Sequence, residues 1–313
     1  MAKKKAADVL EPDDAPRKGA RRMAEVEPSV LARLERGEIE TATLAEMLSV
    51  DLGKLLQAAA PGVSKDVAVG VTNAGGILAR MRAAGRALLE HKGARTFEAY
   101  RVHRSDLVRG WAAYALGQTP GLTIEKRLET IRPLADDANS GVREWAWIAL
   151  RDHVAADLDR AIEVLVEWTD ERSANLRRYA SEITRPRGVW CAHIGELKAR
   201  PSRGLVILEP LRADPTKYVQ DSVSNWLNDA SKSEADWVRT VCAGWLSGTP
   251  SPATERICRR ALRSVGGGSK SVATRTPSRK GAARATFSAA TTQGSERSTK
   301  RKAGRLSDRR SGR

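Results

Sequence analysis

Cysteine is scarce and unpatterned: Cys191, Cys242 and Cys258 are odd in number and form no CxxC pair. That argues against a disulfide framework or a thiolate metal site, and predicts reduced thiols in a cytoplasmic protein without metal or cofactor. No run of about 18 apolar residues occurs, so no membrane span is expected. The basic start "MAKKKAADVLEPDD" turns acidic with no apolar segment behind it, and no signal peptide is expected. The four histidines, His91, His103, His153 and His193, are scattered. Alternating β-branched runs are missing, which argues against a sheet. The glycine-containing "GVTNAGG" at 70–76 has neither the GK[ST] ending nor the preceding strand of a phosphate loop. It reads as a turn between helices.

Charge is abundant but unevenly placed. Of a net +16, residues 265–313 hold 13 Lys/Arg against 2 acids, and residues 1–22 hold 7 against 4. The middle of the chain carries 34 basic and 32 acidic residues and is close to neutral. The two ends are rich in small and polar residues and lack apolar periodicity, which predicts disordered basic tails over 1–24 and 264–313. Such tails attract phosphate in a salt-sensitive, sequence-independent way.

Residues 25–263 are patterned as helices. Stop signals recur at "AAAPG" (58–62), "GQTPG" (117–121), "TRPRG" (184–188) and "SGTPSP" (247–252). A repeat accompanies them: "VRGWA" begins at Val108, "VREWA" at Val142, "LRRYA" at Leu176 and "VQDSV" at Val219. Several copies follow acidic turns, "ADDANSG", "TDERSAN" and "ADPTK", and each is preceded by another apolar helix. A two-helix unit recurring every ~34–47 residues marks an all-α solenoid of HEAT-like repeats. A solenoid exposes one row of helices as its binding surface, and a monomer is expected.

At about 100° per residue the second helix of each unit divides into two faces. Val142, Trp145, Ala146, Ala149 and Leu150 fall on an apolar side, with Glu144, Trp147 and Arg151 opposite. Leu176, Tyr179, Ala180 and Ile183 oppose Arg178, Glu182 and Arg185. In "VQDSVSNWLNDASK", Val219, Val223, Trp226, Leu227 and Ala230 oppose Asp221, Asn225, Asn228 and Lys232, with Asp229 on the shoulder. The polar sides are expected to form an outward strip of Glu, Trp, Arg, Asn and Asp. Asn and Asp are costly within a helix because their short side chains compete for the backbone. Trp147 and Trp190 lie where an indole suits stacking or cation–π contact.

Three stretches resemble a known family. "RRYASEITRPRGVW" (177–190) and "YVQDSVSNWLNDASK" (218–232) resemble the strongest signatures of AlkC-type DNA alkylation-repair glycosylases, in the HEAT-like-repeat AlkC/AlkD superfamily. "EWAWIAL" (144–150) resembles a third segment, although Ile148 and Ala149 stand where the family has a basic residue and a proline. The match spans about a third of the chain. The resemblance implies release of positively charged, 3-methyladenine-like bases from double-stranded DNA. It implies Glu144 and Asp229 as catalytic carboxylates, and Trp145 and Trp190 beside the lesion. A cationic base needs no strong general acid, so carboxylates that stabilise an oxocarbenium-like sugar and position water suffice. With Trp147 joining the lesion contacts, Arg178, Arg185, Arg187, Asn225, Asn228 and Lys232 are the expected DNA contacts. A non-catalytic DNA-binding solenoid and a protein scaffold remain alternatives.

Overall fold

The computed structural model describes residues 17–265, and the expectations for residues 1–16 and 266–313 lie outside them. Its sixteen α-helices run α1 (Pro28–Glu35), α2 (Leu44–Ser49), α3 (Leu52–Ala59), α4 (Lys65–Thr72), α5 (Ile77–Lys92), α6 (Thr96–Tyr100), α7 (Asp106–Gln118) and α8 (Ile124–Ala135), then α9 (Ser140–Ala156), α10 (Leu158–Glu167), α11 (Ala174–Ile183), α12 (Gly195–Ala199), α13 (Leu205–Leu211), α14 (Lys217–Ala230), α15 (Ala235–Leu246) and α16 (Pro252–Ala261). Among the described residues there is no strand, and no helix is long and apolar enough to cross a membrane. Residues 17–24, expected within a disordered tail, are tied to the body. Arg17 forms a bidentate pair with buried Glu46, and the Thr43 hydroxyl donates to the Ala20 carbonyl.

The helices that begin at the repeat positions pack in sequence, α5 on α7, α7 on α9, α9 on α11, α11 on α14 and α14 on α16. A second row, including α8, α10 and α13, packs behind them. The seam is the apolar face read from the sequence: Val142, Leu150, Tyr179, Ile183, Val219, Val223, Trp226 and Leu227 are all buried. Close approach at that seam depends on two glycines. A side chain at Gly110 would meet Trp145 Cδ1 at 2.7 Å, and one at Gly204 would meet Trp226 Cζ2 at 2.3 Å.

The second residue of each repeat copy explains its register. Arg109 donates to the carbonyls of His103 and Arg104, Arg143 to those of Asp137 and Ala138, and Arg177 to those of Glu171 and Arg172. Each guanidinium therefore satisfies the turn that leads into its own helix, where carbonyls lack helical partners. In the last copy Gln220 does this work for the Asp214 carbonyl. Arg109 and Arg177 also bind Asp137 and Asp214 in the following units, at 2.9 and 2.6 Å. The acidic turns of the sequence thus stitch one unit to the next.

Candidate functional site

Helix α9 opens at Asn139, whose Oδ1 accepts from the Gly141 and Val142 amides. One turn on, Glu144 receives the Trp147 indole N–H at 2.8 Å and the Arg178 guanidinium at 2.7 Å. Arg178 lies on α11 and stacks over the Tyr218 ring, 4.5 Å from its centroid. It also reaches Glu182 at 3.5 Å. Glu182 accepts from Arg185 at 2.7 Å and from the Ser222 hydroxyl at 2.7 Å. Arg185 in turn grips Asp229 Oδ2 through Nε and Nη2, at 2.9 and 2.7 Å. Lys232 closes the series on Asp229 Oδ1 at 2.9 Å.

Positive and negative groups therefore alternate from Glu144 through Arg178, Glu182, Arg185 and Asp229 to Lys232. The carboxylates come from three successive repeat helices, and the arginines between them hold them apart and charged. Burial pushes the Glu182 carboxyl up, but Arg178, Arg185 and Ser222 outweigh it and leave it below the ordinary carboxylate range.

A cleft of about 430 Å³ opens beside this series. Glu144, Trp145, Trp147 and Ile148 line it from α9, with Glu182 and Arg185 beyond, and Val189 and Trp190 from the loop after α11. Thr41, Ala42, Thr43, Leu44 and Met47 line it from the N-terminal part of the chain. That segment is fixed by Thr41, whose amide and hydroxyl donate to Asp106 at 3.0 and 2.6 Å. Asp106 is buried, and desolvation raises its carboxyl above the ordinary range despite those bonds. The loop carrying Trp190 is held from below by Arg151, which is 1% exposed. Its guanidinium donates to the carbonyls of Ile183, Arg185 and Ala192.

Several outward-facing expectations are corrected. Trp147 is buried rather than presented on a polar face, because its indole turns back to Glu144 and Arg151 lies over its ring at 5.9 Å. Glu182 and Arg151 are also buried, covered by α14 and by the loop after α11. Asn228 is 3% exposed and donates to the Ala261 carbonyl, joining α14 to the end of α16. Asn225 accepts from Arg263 at 2.9 Å. The asparagines of α14 are thus occupied with neighbouring chain.

The other sequence-marked residues divide by position. Glu144, Trp145, Trp147, Trp190 and Arg185 line the cleft. Asp229 does not; it is buried on the far side of Arg185. Arg178 and Arg185 are enclosed and paired with carboxylates, so they are not open to phosphate as expected. Arg187 bonds the Asp229 carbonyl and Ser233, and the Lys232 side chain is 46% exposed. Glu182, Arg151 and the 41–47 wall went unrecognised in the sequence. Only Glu182 carried a signal, its place inside "RYASEITRPR". Among the described residues no cluster of His, Cys, Asp and Glu could hold a metal, and all three cysteines are free.

No protein-family model matches the chain. The uncharacterized protein YhaZ of Bacillus subtilis (strain 168) is 36% identical over 137 residues, covering 44% of this chain and 37% of YhaZ. Among solved structures, the Pseudomonas fluorescens alkylpurine DNA glycosylase AlkC, bound to DNA containing an abasic site analog, superposes with a TM-score of 0.56 at 22% identity. That match covers 74% of this chain and 62% of AlkC. AlkD2 from Streptococcus mutans gives 0.51 at 19% identity, covering 64% of this chain and 97% of AlkD2. The smu.31 protein of S. mutans UA159 gives 0.50 at 20% identity, with the same coverage of 64% and 97%. The fold is an AlkC/AlkD-type stack of HEAT-like helical repeats.

Proposed function

We propose, from an AlkC/AlkD-type fold whose aromatic cleft holds two carboxylates, that the chain is a DNA N-glycosylase. Its substrate is double-stranded DNA bearing positively charged N-alkylated bases, on which it acts as a cytoplasmic monomer. The observation that carries this reading is the convergence of Glu144 and Glu182 with Trp145, Trp147 and Trp190 on one cleft. A cationic base is favoured there over a neutral one by indole faces and carboxylate charge. As the C1′–N bond breaks, its electron pair leaves with the base, which departs neutral. Glu144 and Glu182 stabilise the oxocarbenium-like sugar that remains. Water adds to C1′ and gives its proton to a carboxylate, for which half-exposed Glu144 is the better placed. Asp229 acts through Arg185, whose guanidinium it holds against Glu182. Arg187 and Lys232 carry the backbone contacts.

The test is single-turnover base release from methylated duplex DNA by the full chain and by Glu144→Gln, Glu182→Gln and Asp229→Asn, each at a temperature where it is folded. Loss of one transition-state contact is expected to cut release by about 10²–10³-fold, with DNA affinity kept. DNA binding without release by wild type would leave a non-catalytic DNA-binding solenoid. Neither binding nor release would leave a protein scaffold.

A further inference from the structure

Three large apolar side chains that remain in water meet at one place. Leu44 is 54% exposed, Val189 74% and Trp190 39%, and all three line the cleft. Exposed apolar residues scattered singly are ordinary; gathered at the mouth of a cleft they mark something that docks there. Leu44 and Val189 come from chain segments far apart in sequence, and each segment is braced. Leu44 is the first residue of α2, whose start is capped by Thr43 and tied down through Thr41 to Asp106. Val189 sits on the loop held by the three Arg151 bonds and by the Ile194 amide on the Pro186 carbonyl at 3.1 Å. Apolar tips on braced loops can press into a partner without collapsing onto the body.

The chemistry behind the tips selects the partner. Glu144 and Glu182 line the cleft and repel phosphate, while its indoles offer flat apolar faces. A base therefore enters and its backbone stays outside, nearer Arg187 and Lys232. A base can do so only after losing its stacking neighbours. We propose that Leu44 and Val189 are a pair of apolar lips that insert beside one nucleotide of a duplex and hold it unstacked at the cleft, against Trp190. Apolar side chains inserted at a base step replace part of the lost stacking contact, and an indole at the mouth offers a sequence-tolerant stacking surface. The inference rests on the DNA-glycosylase reading for its partner, but unstacking precedes and does not require bond cleavage.

The experiment places 2-aminopurine next to an abasic-site analogue in duplex DNA and titrates it with the full chain. Wild type is expected to raise its fluorescence several-fold. The double variant Leu44→Ser/Val189→Ser is expected to retain less than about a third of that rise, with Kd for the duplex changed less than about threefold. Both positions are exposed, so matched melting curves check that the variant folds as wild type does. In single-stranded DNA, where no stack need be opened, the two proteins are expected to behave alike. An undiminished rise in the double variant, or none with wild type, overturns the proposal. A normal rise without base release from methylated DNA removes the glycosylase reading and leaves the lips standing. Release without any rise does the reverse.

Discussion

Replacing Glu182 by glutamine keeps its shape and its acceptor for Ser222 but removes one negative charge between Arg178 and Arg185. All three groups are buried or nearly so. Breaking a buried ion pair by removing one partner costs about 3–5 kcal/mol. Here each arginine keeps another carboxylate, Arg178 keeping Glu144 and Arg185 keeping Asp229, so the lower end applies. A loss of about 3 kcal/mol at pH 7 corresponds to a drop in Tm of about 6–12 °C for a body of this size. The pH dependence adds a second constraint. Glu182 ionises in the folded protein below its ordinary 4.5, so its stabilisation is complete above that pH. It is lost as the pH falls through the folded value. The gap between wild type and Glu182→Gln in urea melts should be widest at neutral pH and narrow below about pH 4.5. A loss at pH 7 under about 1 kcal/mol, within the range of an ordinary surface change, would refute the reasoning. So would a gap that widens on acidification.

Asn228→Ala removes the bond to the Ala261 carbonyl and leaves that acceptor buried, at a cost of about 1–3 kcal/mol. Hydrogen exchange should accelerate at the end of α16 before it does in α7 or α9. Gly204→Ala drives a methyl group into the Trp226 ring at 2.3 Å and should cost about 1–3 kcal/mol by overpacking. Gly195→Ala is its control in thermal melts: nothing lies within 4 Å of the added carbon, and the melting temperature should hold or rise.

The sequence by itself determined the architecture. Apolar spacing in α9, α11 and α14 named the seam residues, because a 3.6-residue period leaves one stripe to bury. The repeat from Val108 to Val219 gave the stacking order, and the "VR" at each start is a local device whose partners lie only five and six residues back. The same local logic located Glu144 and Trp190. What the tertiary structure decided was the fate of the opposite faces. An angular reading treats every residue off the apolar stripe as solvated, yet Glu182, Arg151, Trp147 and Asn228 are covered by segments far along the chain. The 41–47 wall of the cleft is placed by a bond from Thr41 to Asp106, 65 residues away, and no local pattern encodes it. Buried charge is settled the same way. Whether Arg185 meets a phosphate or Asp229 depends on which carboxylate the fold brings within reach, and that is a property of contact rather than of spacing.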